Sequence, residues 1–289
     1  MTYVLFTNGP VQVGSAVLGG ITSIESALGS QVRGEPTSGE VYARVMALLS
    51  QKPSMGFTCE DIEAALTACG PLGASLATDN LTVFGSQLLQ GGTIASSGHF
   101  SLTAALGVIV PQNLQCSHQG NASISYQAHP VSSDGVTVPW TISTSASLPS
   151  ITQANLYTLD TIEIAGVSIA QHTQVGVDFG LRVLTEGSSS NVLDQIATIR
   201  SIMPKISLSS QAQGNLLSSL LGATGAFSIV LRNRLQGGTF GTKIVTLSGT
   251  CLGLQEVPFR ASGQGAASVQ LQGHVEWDGT DAPIAYTGV

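Results

Sequence analysis

The chain has 289 residues, 43% of them hydrophobic, which is enough to bury ordinary cores without support from disulfides or metal. Only 9% are charged, where soluble proteins carry about a quarter. The formal net charge of −7 excludes a protein that grips nucleic-acid phosphates through clustered Lys and Arg. A surface this poor in charge and rich in Ser, Thr, Gln and Gly points to one covered by copies of itself or by partners.

Met1 to Pro10 has no basic segment and no long apolar run, so no secretory leader is expected. No stretch is apolar for long enough to span a bilayer as a helix, and a cytoplasm-like compartment is expected. Tyr3 to Phe6 and Val11 to Leu18 alternate with period two and predict strands joined by a tight turn at Asn8-Gly9-Pro10. Gln31 to Arg33 is strand-like, and Gly34, Glu35, Pro36, Thr37, Ser38 and Gly39 predict the polar tip of a long hairpin. Pro53 to Thr58 predicts a further strand.

Thr58-Cys59-Glu60-Asp61 resembles a capping box ahead of Ile62, Ala65, Leu66 and Cys69, which recur at helical spacing until Gly70. A helix of this kind would pack its apolar stripe on one sheet face. Strands are then predicted over Gly98 to Val110, Gln119 to Ala128 and Val136 to Ser143, with a turn at Asp134-Gly135. A linker is expected near Leu148 to Gln153.

Beyond it the order of blocks starts again. Val4-Leu5-Phe6-Thr7 returns as Asn155-Leu156-Tyr157-Thr158, and Pro53 to Thr58 returns as Pro204 to Ser209, both 151 positions on (155 − 4 = 204 − 53 = 151). The hairpin tip returns at the same offset as Thr185, Glu186, Gly187, Ser188, Ser189 and Ser190, preceded by strand-like Arg182 to Leu184. A second helix is expected from Ser210 through Leu216, Leu217 and Leu220 to Gly222. Leu89-Gln90-Gly91-Gly92-Thr93-Ile94 returns as Leu235-Gln236-Gly237-Gly238-Thr239-Phe240, and Gly120 to Ser123 as Gly265 to Ser268. Strands are predicted over Thr242 to Leu254, Gly263 to Gly273 and Ala282 to Thr287, with Asp278-Gly279 as the counterpart turn.

A solenoid unit spans about 20–50 residues, so a repeat this long is instead of domain size. The expectation is two tandem domains of one mainly β fold, residues 1–148 and 152–289, each strand-dominated with one α-helix. Two quasi-equivalent surfaces on one chain let a ring close with half as many subunits as its symmetry suggests. The halves differ in charge: residues 1–150 hold three Lys/Arg and eight Asp/Glu, the remainder seven and nine.

No active-site pattern stands out. His99, His118, His129, His172 and His274 show no HxH or HExxH spacing and are expected at the surface or in turns. Cys59, Cys69, Cys116 and Cys251 form no CxxC pair and are expected as free buried thiols. Glu60, Asp61 and Glu63 are explained as cap and dipole partners of the helix. No cofactor, metal or catalytic residue is expected, and an enzyme is disfavoured.

The order of elements (hairpin with a long polar tip, strand, helix, Gly-Gly-Thr, then strands carrying Asp-Gly) resembles the tail-tube proteins of tailed bacteriophages. The resemblance implies that each domain is a small tail-tube-like β-sandwich or barrel with one α-helix, in a virion structural protein whose inner sheets join around a ring to line a channel for DNA, assembled in the host cytoplasm and located in the tail. It further implies three duplicated chains in a pseudo-sixfold ring. The tips Gly34 to Gly39 and Thr185 to Ser190 would reach the neighbouring ring, and the helices would cover the outer sheet. Partners would be further copies, other tail proteins, and DNA passing without specific binding, with no membrane. A tail terminator or baseplate ring, and a tandem β-sandwich module binding carbohydrate or serving adhesion, are the alternatives.

Overall fold

The structure is a computed structural model that describes residues 5–36, 43–89, 92–169, 172–188, 190–210, 219–235, 237–260, 268–277 and 282–288. Alternating burial runs through most of the chain and lays down strands, so the protein is mainly β. The first half comprises β1 (Leu5–Val13), β2 (Ala16–Leu18), β3 (Ile21–Ala27), β4 (Ser30–Pro36), β5 (Ala43–Gln51), β6 (Ser54–Cys59), α1 (Ile62–Cys69) and β7 (Ala74–Ser75). It continues with β8 (Leu81–Leu88), β9 (His99–Ala104), β10 (Gly107–Ser117), β11 (Ser123–Pro130) and β12 (Trp140–Ala146). After irregular chain the second half comprises β13 (Tyr157–Ile164), β14 (Val167–Ser168), β15 (His172–Asp178), β16 (Leu181–Glu186), β17 (Ile196–Ile202) and β18 (Lys205–Ser210). It ends with β19 (Gly225–Arg234), β20 (Phe240–Arg260), β21 (Ser268–Val275) and β22 (Ala285–Gly288).

The two halves share one topology. In the first, one sheet runs β12-β9-β8-β1-β2 and a second block runs β3-β6-β11-β10. In the second half β22-β20-β19-β13-β14 and β15-β18-β21-β20 repeat those orders, because the 21-residue β20 crosses from one layer to the other. A single 13-stranded sheet thereby contains strands of both halves. The first half makes the same crossing in two pieces, β9 and β10, broken at Gly107 with φ 121°, where a Cβ would collide with the His129 carbonyl oxygen. Gly253, with φ 51°, bends β20 at the equivalent place.

Val11, Val13, Leu81, Val83 and Leu102 from one layer and Met55, Phe57, Ile124 and Tyr126 from the other form the core of the first half. Phe57 and Tyr126 stack at 5.4 Å between centroids. Helix α1 buries Ile62, Ala65, Leu66 and Cys69, packs against β2, β10 and β11, and takes the Tyr126 hydroxyl on its Ala65 carbonyl at 3.4 Å. It therefore plugs the space between the two layers instead of covering an outer sheet. All four cysteines are free and buried, and burial pushes the Cys59 and Cys69 thiols up to about 12.

Several expectations are corrected in detail. Asn8, Gly9 and Pro10 lie inside β1, where a bulge between Asn8 and Val11 accommodates the proline, and the hairpin turn comes at Gly14 and Ser15. Thr58 and Cys59 end β6, so Asp61, not Thr58, caps α1. The central strands β8 and β19 were not anticipated. Asp134-Gly135 sits in an irregular loop and not in a tight hairpin. Most of the segment predicted as a second helix, 211–218, and Asp278-Gly279 fall outside the described residues.

Leu114 is fully buried in β10, between β11 and β15. Leu114→Ala is expected to cost about 2–5 kcal/mol, read from the urea midpoint; an unchanged midpoint would contradict this packing.

Candidate assembly interface

Four sets of contacts join the halves. The first is backbone pairing: β10 and β15 run antiparallel with Asn113 opposite Asp178, Gln115 opposite Gly176 and Ser117 opposite Gln174. Leu114, Cys116, Val175 and Val177 point to the buried side, which sets the register, since a slip of one residue would expose all four. The pairing makes β3-β6-β11-β10 and β15-β18-β21 one surface.

The open face of that surface is polar and nearly free of charge. One rung runs Ser23, Thr58, Ser125, Asn113, Asp178, Lys205, His274 across seven successive strands. The next runs Ser123, Gln115, Gly176, Ser207, Gln272, Gln255. Its hydroxyls and amides bond to one another: Ser23 Oγ donates to Thr58 Oγ1 at 3.0 Å, and Ser125 Oγ to Asn113 Oδ1 at 3.1 Å. His129, half-buried on the same side of β11, is held below its ordinary value by desolvation.

The second set is a clasp from α1. Asp61 Oδ1 accepts the Ala64 N–H at 3.3 Å as the helix cap, while Oδ2 accepts the Asn155 N–H of the second half at 2.9 Å. Glu63 Oε2 accepts the Tyr157 hydroxyl at 2.6 Å, and the Tyr157 carbonyl accepts the Ala122 N–H at 2.7 Å. Tyr157 is fully buried, and that burial, followed by the Glu63 carboxylate, drives its hydroxyl pKa well up. Reading Glu63 only as a dipole partner missed this role, since nothing in the sequence pairs it with a residue 94 positions away.

Third, irregular chain before β13 lies on the Gly19-Gly20 corner, with Ile151, Thr152 and Ala154 against it. Fourth, the segment between β16 and β17 docks on the loop after β11. Ser132 N–H donates to the Asp194 carbonyl at 2.8 Å, Leu193 N–H to that of Gly135 at 3.0 Å, and Gln51 N–H to that of Val192 at 2.8 Å. Asp134 organises the receiving loop, accepting the Thr137 N–H at 2.7 Å, its hydroxyl at 2.7 Å and the Val136 N–H at 2.9 Å. These bonds, the Thr137 N–H foremost, hold its carboxyl far below the ordinary range.

The predicted hairpin tips separate on inspection. Gly34, Glu35 and Pro36 belong to β4, and Thr185 and Glu186 to β16. Gly187, Ser188 and Ser190 form the turn that precedes the docked segment, with Asn191 N–H donating to the Ser188 carbonyl at 2.9 Å. Thr37, Ser38, Gly39 and Ser189 lie outside the described residues. Of the histidines, His99 is corrected: it is 2% exposed in β9, and its Nδ1 accepts the Gln87 N–H at 3.1 Å. Among the described residues no group of three or more His, Cys, Asp or Glu is placed to hold a metal.

Among the described residues, β3 has a hydrogen-bonded strand on one side only, and so does β20 from Gln255 to Arg260, beyond Leu254, whose N–H donates to the Ala223 carbonyl and whose carbonyl accepts the Gly222 N–H. These edges are the counterparts of β15 and β10. The chain matches no protein-family model and no curated protein.

Two outcomes check the clasp and the dock. Tyr157→Phe is expected to lower stability by about 1.5–3 kcal/mol through loss of a charge-assisted hydrogen bond, with a smaller loss in a Glu63→Gln background; additive losses in a double-mutant cycle would contradict the pairing. Because the folded Asp134 carboxyl titrates below its ordinary 3.8, its contribution is present above that pH and is lost as the pH falls through and beneath it. Asp134→Ala should therefore speed amide exchange at 132–137 and 191–195 at pH 6, and the difference from wild type should shrink once the medium is well below 3.8.

Proposed function

We propose that the chain is a structural subunit that joins head to tail with further copies into a closed ring around a channel, the ring of a virus tail tube through which DNA passes. The observation that carries this reading is the β10–β15 pairing. It joins two equivalent units through opposite edges and leaves one side of each cognate strand, β3 and the Gln255–Arg260 end of β20, without a second strand partner among the described residues. A heterologous contact of this kind repeats until it closes a ring or grows as a filament. Edge strands left bare are otherwise an aggregation hazard, so an assembled state is their natural remedy.

The polar face supports a conduit. Most positions of its two rungs are Ser, Thr, Asn or Gln, joined by Gly176 and His274, with Glu25, Asp178 and Lys205 as sparse charges on the face. Such a lining stays wetted while offering few cations to hold phosphates, which suits sliding and opposes binding. Low overall charge and the resemblance in element order to bacteriophage tail-tube proteins point the same way. On this reading three chains supply six units, the partners are further copies and other tail proteins, and the protein resides in the virion tail.

Light scattering after size exclusion, together with negative-stain averages of the purified protein over a range of concentrations, tests the proposal. Rings or stacked tubes with a central hole and three- or sixfold averages are expected. A monomer at every concentration overturns it.

A further inference from the structure

Phe6 and Tyr157 stand at equivalent positions of the two halves (157 − 6 = 151), yet their surroundings differ. Tyr157 is fully buried because α1 and the Ala122 amide of the first half close over it. Phe6 is 50% exposed and its neighbour Leu5 67%. Beside Phe6 opens a cavity of about 420 Å³ between β1, β3, β8 and β9, walled by Ile24, Val83, Phe84, Phe100 and Leu102. Phe6 meets Phe100 edge to face at 6.3 Å across it.

We infer that this cavity is the seat of the C-terminal half of a second copy of the same chain, so that Phe6 is covered across the subunit boundary as Tyr157 is covered within the chain. The inference rests on the ring reading above and names the contact that accompanies its edge pairing. At the junction within the chain the first half gives its last inner strand and its helix, and the second half receives them on its first inner strand and over Tyr157. One chain contains one such junction, so the receiving side of the first half is left for another molecule. That mouth is continuous with the open edge: Ile24 and Ser26 of β3 line it.

The residue chemistry agrees. Tyr157 uses its hydroxyl on Glu63; the sequence position equivalent to Glu63 is Gly214 (214 − 63 = 151), and Phe6 correspondingly has no hydroxyl. Ala122, whose N–H binds the Tyr157 carbonyl, has its counterpart in Ala267. An apolar ring thus faces a partner that brings no carboxylate, whereas a tyrosine there would bury a hydroxyl without the acceptor it has in the other half.

Hydroxyl-radical footprinting of wild-type protein, assembled and after dissociation by dilution, tests the inference together with particle imaging of Phe6→Asp. The expected result is a several-fold drop in Phe6 oxidation on assembly, and a folded Phe6→Asp chain, judged by circular dichroism, that forms no rings. Wild-type rings in which Phe6 is oxidised as readily as in dissociated subunits overturn the seat while leaving the ring reading standing, and so does ring formation by Phe6→Asp. Absence of wild-type rings overturns both. Should Phe6→Asp fail to fold, the wild-type footprint decides alone.

Discussion

Backbone pairing between β10 and β15 is the constraint on which the rest depends. A strand edge carries N–H and C=O groups that must find partners in protein or water, and here one half satisfies an edge of the other. Once Leu114, Cys116, Val175 and Val177 are turned inward by that register, the polar residues between them have one place to go. They form the open face. The same contact brings α1 over the start of β13, so that Asp61 serves two partners and Glu63 reaches Tyr157. Removing the pairing would expose apolar side chains, strip the clasp of its geometry and divide the continuous face in two.

The duplication also separates what the fold requires from what differs between its copies. Both halves turn the crossing strand at a glycine, Gly107 or Gly253. Both close the hairpin after the second central strand in the same way, Leu89 N–H donating to the Thr93 carbonyl at 2.8 Å and Leu235 N–H to that of Thr239 at 2.9 Å. Against that common frame the mismatches are informative: Tyr157 is sealed and Phe6 is not. In the second half Arg232 pairs with Asp160 at 2.9 Å, and it and Arg234 lie near the Phe240 ring. The counterpart turn in the first half carries Ile94.

Much of the fold was legible in the sequence because two copies of each signal were available. The β class, both long hairpins, the strands β6 and β18 and the glycine ending α1 follow from alternation, capping and turn chemistry. Asn8-Gly9-Pro10 misled, since turn residues can also fill a bulge inside a strand. The strands β8 and β19 went unseen; in β8 the interruption by Gly85 and Gln87 and the paired burial of Val83 and Phe84 blur the period-two signal. The junction between the two halves was not legible at all. Asn113 and Gln115 lie beyond the strand predicted to end at Val110, in a stretch that β10 extends through, and no local pattern says which distant strand will lie beside them. Glu63 and Tyr157 are likewise joined only by the tertiary fold.

The irregular chain that crosses Gly19 and Gly20 before β13 has a kinetic meaning. In the ring proposed above, tethering the two units would turn one junction in every two from an encounter between molecules into a step within one, at the high effective concentration a short connector provides. Assembly of a given number of units would then have half the molecularity it would have for separate units, and its onset would be less steep in protein concentration. The covalent link would also set the alternation of the two kinds of unit around the proposed ring, so that halves of different charge would be delivered in fixed order, without any unit having to recognise its type.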